Sequence, residues 1–493
     1  MISVITFSPN RRRKNKLYGY AIVENEVRVE EVSDNLCGLG AYVQVYGDSE
    51  KITINQDFMG SYGIYLYEDE EFFAISNSFM MLEEYLRDNH HKMTLNRDYV
   101  NYYLGSNSSS HLPWETMVNE IRVLPRNFEI ILNKADNTIQ LNEIDYKERT
   151  VSIKSEEGLE ILDNWFYRWI EIFRNVRVRT NNLIADLTGG FDSRITLGIC
   201  LAANMDLEHI KINSSTAERH KEDFQVASQI VDKFNLELNR YLYYGQEILD
   251  FEDHINLVEY IKGGFHKQHY VTKFKPEKYH YRITGHCGET LREYPHEAPD
   301  EFVRNAKVHA KNVDISLVAS TESLLENSFN EIYENLGIED SNSHRITTVF
   351  FNEGRNRIHF GKGFVGSYLF NRITLAPFTD PELHKLDYNE FDDKAIIIPL
   401  IYKRFFPNLL EIPFGANKKF TDETLALCDE INSISPFKSL DYEFIPPVPK
   451  QKIERDGSFR ERLNKSVEKN VKKFEFMDAI FSSRKFEMDF KKY

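Results

Sequence analysis

Cysteine is scarce in this chain: Cys37, Cys200, Cys287 and Cys428 stand far apart, without the paired spacing of a zinc site or a disulfide framework. A reducing compartment, the cytoplasm, is the expected setting. Positive charge is also short, leaving a formal net charge of −16. That balance weighs against a surface built to hold nucleic acid backbones. The stretch after Pro449 is rich in lysine and arginine, at Lys450, Lys452, Arg455, Arg460, Arg462, Lys465, Lys469, Lys472 and Lys473. This stretch reads as a solvated terminal helix rather than an RNA or membrane contact. No apolar run approaches the length that spans a bilayer, and residues 395–401 are short enough for a buried helix or strand. The basic run at 11–14 follows the apolar start instead of preceding it, the wrong order for a secretion signal. Internal repeats and low-complexity segments are absent.

What remains is long and patterned. A chain of 493 residues exceeds one compact core, so two domains are expected. Up to about residue 150 apolar residues alternate, as at Tyr18, Tyr20 and Ile22, at Val27 and Val29, at Ile52 and Ile54, and at Ile64 and Leu66. That period predicts a mainly antiparallel β domain with one or two helices, such as residues 80–87. From Glu156 the period turns helical, with Trp165, Trp169, Ile172 and Phe173 on one stripe. Strands at 183–186, 209–213 and 238–243 then alternate with helices, which implies a parallel sheet whose ligands collect at the strands' carboxyl ends. Beyond Tyr294 the chain reads as largely helical.

The sharpest signal is Leu187-Thr188-Gly189-Gly190-Phe191-Asp192-Ser193, where an apolar strand runs into two glycines and then an apolar helix. Glycines let the backbone turn so that successive N–H groups line one concavity, and the helix start adds its positive end. This is the grammar of a pyrophosphate grip, shared with a tight strand-to-helix turn that binds nothing. A second strand, at 281–283, enters another glycine-punctuated loop, Thr284-Gly285-His286-Cys287-Gly288-Glu289-Thr290. If the two loops face each other, Asp192 and Glu289 supply oxygen ligands for magnesium, the usual companion of polyphosphate.

With both loops in place, the chain resembles the asparagine synthetase and β-lactam synthetase family. The family's SGGxDS loop stands here as Thr188-Gly189-Gly190-Phe191-Asp192-Ser193, with threonine for the first serine. Its SGEGSDE motif becomes Thr284 to Thr290, which puts Glu289 on the metal-binding aspartate, and its PFLD box becomes Pro377-Phe378-Thr379-Asp380. The RDxxGxxPLYY core of its glutaminase-type domain is echoed from Gln56-Asp57 through Gly60 to Tyr65-Leu66-Tyr67. The resemblance spans most of residues 1–450. It implies an α/β fold: a parallel-sheet ATP pyrophosphatase (PP-loop) synthetase domain over 151–450, preceded by a mainly antiparallel β Ntn-hydrolase-like domain over 1–150. A basic tail occupies 451–493. ATP and Mg2+ are the implied cofactors. Leu187, Thr188, Gly189, Gly190, Phe191, Asp192, Ser193, Ser214, Thr284 and Gly285 would surround the nucleotide, and Asp192 and Glu289 would hold the metal.

The departures carry information too. Residue 2 is Ile2 where the family's glutaminase nucleophile would be, and Cys37 would be unmasked only by removing a segment that reads as β structure. The first domain is therefore expected to be an inactive scaffold. His286 replaces the glutamate or tyrosine that takes a proton from the attacking amine, and an imidazole titrating near neutrality suits that role. Contact with ATP or substrate is the alternative for His286. The E-x-R that precedes the family's PFLD box is replaced by Ile373-Thr374-Leu375, and the family's charge-stabilising lysine falls on Lys418 or Lys419.

The expected function is an AMP-forming carbon–nitrogen ligase. It adenylates a small-molecule, peptide or sugar-acid carboxylate and passes the acyl group to an amine donor or ammonia, in natural-product or surface-polysaccharide biosynthesis. The 27 tyrosines and 35 phenylalanines suit stacking on a sugar or peptide as well as ordinary core packing. Two other readings stay open: an RNA-modifying PP-loop adenylase, and a non-catalytic nucleotide-binding partner in a larger assembly. Neither membrane insertion nor a nucleic acid partner is expected, and a homodimer or a partner protein stays open.

Overall fold

A computed structural model describes residues 4–5, 15–29, 36, 38–69, 72–106, 111–136, 138–145, 150–180, 183–205, 210–216, 218–239, 261–263, 280–292, 297–336, 341, 343–369, 371–387, 396–415 and 419–437. Ile2, Cys37, Lys418, residues 240–243 and the basic tail lie outside them.

The N-terminal region builds two antiparallel sheets from β1 (Val4–Ile5), β2 (Lys16–Val23), β3 (Glu26–Arg28), β4 (Gly40–Gly47), β5 (Lys51–Gln56), β6 (Tyr65–Glu68), β7 (Phe73–Ser76), β8 (Ile121–Val123), β9 (Phe128–Asn133) and β10 (Thr138–Glu143). Among the described residues one sheet has the order β10-β9-β5-β4-β2-β3 and the other β1-β7-β6-β8. The β2–β3 hairpin closes on Glu24 and Asn25, at φ 51° and 62°, the left-handed pair that a two-residue turn between twisted strands requires. Val43, Val45, Ile54 and Ile130 from the larger sheet meet Ile64, Ile75 and Leu124, filling the space between the sheets. Helices α1 (Phe79–Asp88) and α2 (Arg97–Gly105) contribute Leu82, Tyr99 and Tyr102 to a second core, shared with the helices Pro299–Val313 and Val318–Leu336.

After the short β11 (Val151–Ser152) comes α3 (Glu156–Arg179), started by the Ser155 side chain, which accepts the Gly158 N–H. Its aromatic stripe is buried: Trp165 donates to the Pro377 carbonyl, and Trp169 and Arg168 donate to Asp380. The parallel sheet follows, from β12 (Leu183–Asp186), α4 (Asp192–Ala202), β13 (Ile210–Asn213), α5 (Lys221–Lys233) and β14 (His280–Ile283). Leu238 adds a single parallel bridge to Ile212 where the strand 238–243 was expected. Beyond Tyr294 the described residues are largely helical, as expected, with Arg372–Leu375 adding a further parallel strand, β15, against β14. Next in the chain, β16 (Leu386–Asp387) pairs with β11, and the apolar cluster near 397 is the buried helix Ile397–Phe405.

Among the described residues the parallel sheet runs β13-β12-β14-β15. The chain steps from β12 to one side, then returns to build outward on the other. The direction of winding therefore reverses between β12 and β14, the place where open α/β sheets leave a crevice at the strands' carboxyl ends. Among the described residues, no helix is long and apolar enough to cross a membrane.

Candidate nucleotide site between two glycine loops

The first loop leaves β12 at that reversal. Leu187, buried, donates its N–H to the Asn213 carbonyl, which ties the loop's root to β13. The next N–H groups do not open into one concavity as expected. Thr188 N–H goes to Ser193 Oγ at 2.9 Å, Gly190 N–H to Thr188 Oγ1 at 3.2 Å, and Gly189 N–H to Asp223 Oδ1 at 3.2 Å. Side-chain oxygens thus hold the loop's shape. Gly189 is required by contact rather than by its dihedral angles, since a Cβ there would lie 2.9 Å from Asp223 Oδ1. At Gly190 the nearest atom is 3.4 Å away, so this side of the loop is open. Helix α4 begins at Asp192, and Phe191 caps it without any side-chain hydrogen bond. First-turn N–H groups lacking a side-chain cap are what an anion requires at a helix start.

The C-terminal segments clamp this loop from behind. Tyr402 donates to the Phe191 carbonyl at 2.6 Å, and the Phe191 ring packs on Phe414 and Phe420 at 4.5 and 4.7 Å. Arg194, fully buried, donates to the carbonyls of Leu409, Ile412 and Pro413 with its guanidinium 3.9 Å from the Phe414 ring.

The second loop leaves β14 and lands on the first. Thr284, buried, donates its N–H to Leu375. A Cβ on Gly285 would fall 2.5 Å from Ser193 N, and one on Gly288 2.5 Å from Asp192 Cγ. Only glycine lets the two backbones approach this closely. Glu289 opens the short turn Gly288–Arg292 and accepts from Arg355 Nη1 at 2.8 Å. Burial pushes the Cys287 thiol well up, and the charges of Glu289 and Asp192 add to it while Arg355 opposes them. Both carboxylates therefore act on one point.

His286 lies at the mouth, stacked on Phe360 at 4.5 Å and near-parallel to Phe364 at 6.0 Å. Its Nδ1 is shielded from solvent and has no hydrogen-bond partner among the described residues. Burial, then the charges of Arg282, His359 and Arg355, hold its pKa well below the usual histidine value. That direction runs against the near-neutral titration expected from sequence. Ser214 sits at the end of β13, 3% exposed; its N–H and carbonyl pair with the Asn239 side chain, and its Oγ lacks a partner among the described residues. Lys419 is exposed.

Sequence reading missed several partners. Asp223 and Arg355 come from distant helices and carry no local signal. Arg282 pairs with Asp186 at 2.6 Å across β14 and β12. That pair was findable, as each residue is the lone charged side chain in an otherwise uncharged strand.

Among the described residues no group of three or more His, Cys, Asp or Glu side chains is arranged to hold a metal ion. Asp192 and Glu289 are the carboxylates of the two loops that could supply oxygens to a cation; Gly288 packs against the first, and Arg355 engages the second. No family model matches the chain, and no curated protein matches it.

Proposed function

We propose that this chain is an ATP-dependent, AMP-forming amide-bond synthetase of the asparagine synthetase type. On this reading its parallel sheet is a PP-loop ATP pyrophosphatase fold and its antiparallel sheets are a silent, Ntn-hydrolase-like scaffold. One observation carries it: two glycine loops leave adjacent parallel strands at the winding reversal and meet, Gly288 against Asp192.

The triphosphate would lie against Gly190, the Thr188 and Ser193 hydroxyls and the first turn of α4. Ser214 and Thr284 would wall the adenine. Magnesium held by Asp192 and Glu289 would offset the charge that develops on the departing pyrophosphate. A substrate carboxylate attacks the α-phosphorus, and the resulting acyl-adenylate is taken by an amine as AMP leaves. His286 is the candidate acceptor of the amine's proton; the burial and nearby positive charges that disfavour its protonated form also weaken it as a base, and the negative charge of a bound triphosphate would offset them. The surrounding Phe360 and Phe364 keep water from the activated acyl group. A small-molecule, peptide or sugar-acid carboxylate is the substrate class, and a reducing cytoplasm suits the buried thiols of Cys200, Cys287 and Cys428.

The test is ATP–pyrophosphate exchange across a panel of carboxylic acids. The wild-type protein should exchange with at least one acid, and Asp192→Asn should lose the exchange by two or more orders of magnitude, on the order of other single catalytic electrostatic contacts. His286→Ala should keep exchange but lose amide formation. Full exchange in Asp192→Asn would sink the assignment, and tight ATP binding with no exchange for any acid would favour a non-catalytic nucleotide-binding protein.

A further inference from the structure

The Glu289–Arg355 pair is awkward for the reading above, since a guanidinium occupies a carboxylate assigned to the metal. We infer that Arg355 is a polyphosphate-binding residue whose charge is parked on Glu289 until a divalent cation takes that carboxylate. The inference rests on the synthetase reading and adds a residue and a coupling to it.

The geometry supports a guanidinium that stays in place when its partner leaves. Arg355 projects from the π-helical stretch Asn352–Gly361, with its Cζ 4.8 Å from the Phe351 ring and 5.3 Å from the Phe360 ring. Two aromatic faces hold the planar group by cation–π attraction, independently of Glu289. Both members of the pair are sheltered, at 21% and 15% side-chain exposure. Glu289, by contrast, sits on a five-residue turn, beside the loop that Gly288 presses onto Asp192.

Cation binding to Asp192 and Glu289 would therefore leave a positive charge in a half-dry site with no counter-charge, a costly state unless an anion arrives. The anion delivered with the cation is polyphosphate, and the forked guanidinium matches phosphate oxygens in pairs. Metal and nucleotide binding thus become mutually dependent. Neither alone fully compensates the charges that the ion pair had balanced.

The two ligands give opposite signs on removing Arg355, which a merely structural ion pair would not. Mn2+ binding to the full-length protein is followed by electron paramagnetic resonance without nucleotide, and ATP binding by calorimetry with Mn2+ present. Arg355→Gln should bind Mn2+ alone more tightly, because Glu289 is released, and bind ATP with Mn2+ roughly tenfold more weakly, the worth of one charge-assisted contact. Arg355→Lys keeps a cation and should recover part of the ATP affinity, and Glu289→Gln should lose Mn2+ binding. If Arg355→Gln and Arg355→Lys move both affinities in the same direction, or neither, the role given to Arg355 is overturned while the synthetase reading stands. A wild-type protein that binds no ATP with Mn2+ overturns both.

Discussion

At the scale of single residues the site is defined by what glycine omits. Gly285 and Gly288 lie where any Cβ would enter the Asp192–Ser193 backbone or the Asp192 carboxylate, whereas Gly190 faces a gap. Gly288→Ala should therefore cost about 1–3 kcal/mol in stability, as overpacking of a fixed contact does, and should weaken ATP binding as well. Gly190→Ala should stay within about 0.5 kcal/mol of wild type. Thermal melts with and without ATP check both, and equal losses in the two variants would contradict the contact argument. The two loops themselves were legible, because glycine punctuation directly after a strand marks a sharp turn: Asp192, Ser193, Gly285 and Glu289 lie on the two loops that meet. Their partners were not. Asp223 and Arg355 reach the loops from helices whose own sequence says only that they are amphipathic, so chemistry supplied by tertiary packing left no local trace.

At the scale of elements, the segment His344–Leu369 links the site to the N-terminal sheets. Its α-helical ends enclose the π-helical stretch Asn352–Gly361, a form found often at functional sites. One side carries Arg355, Phe360 and Phe364 to the site. The other carries Glu353, which accepts from Arg126 at 2.8 Å and from Arg357 at 3.3 Å, and Lys362, which donates to the Tyr62 carbonyl. Glu353→Gln would strand two buried guanidinium groups and should destabilise by about 3–5 kcal/mol, read as a lower urea midpoint. Lys362 adds a pH signature. Burial first, then the nearby Arg357, lowers its pKa from 10.5 to about 7. Between pH 7 and 10 the unfolded chain then binds a proton that the folded protein does not, so stability should rise with pH. The slope is up to about 1.4 kcal/mol per pH unit, and Lys362→Met should flatten it in urea titrations across that range. Sequence gave little warning of this segment, because a π-turn needs no distinctive residues. It also gave little warning of β4, which is buried on both faces and so shows no clean alternation. In α3, by contrast, one solvent-facing side preserves the period, and its start at Glu156 was readable.

At the scale of the whole molecule, packing runs across residue 150 in both directions. Tyr20, Ile22, Val27, Leu39 and Ala41 from the antiparallel region share one core with Trp165, Trp169 and the parallel sheet. Phe79, Leu82 and Tyr102 share another with Leu325, Phe329 and Phe350. The Tyr20 hydroxyl, donating to the Thr374 carbonyl on β15 at 2.6 Å, bonds the two regions directly. A sequence read for domains expects each to close its own core, but cores of this kind cannot be dry on one side while the other is unfolded. The first region's value to a synthetase would then be mechanical, through the buried ion pairs that hold Arg355 and Phe360 at the site. Unfolding should accordingly be one cooperative event. Trp114 reports the N-terminal region, where it donates to Glu353, and Trp165 and Trp169 report α3. Urea transitions followed by fluorescence in Trp114→Phe, and in a Trp165→Phe, Trp169→Phe double variant, should each coincide with the loss of secondary structure in the same protein. If the Trp114 signal instead parts from the circular dichroism by more than about 0.5 M urea, beyond what a shared transition allows, the regions unfold separately and the N-terminal sheets cannot be setting the geometry of Arg355.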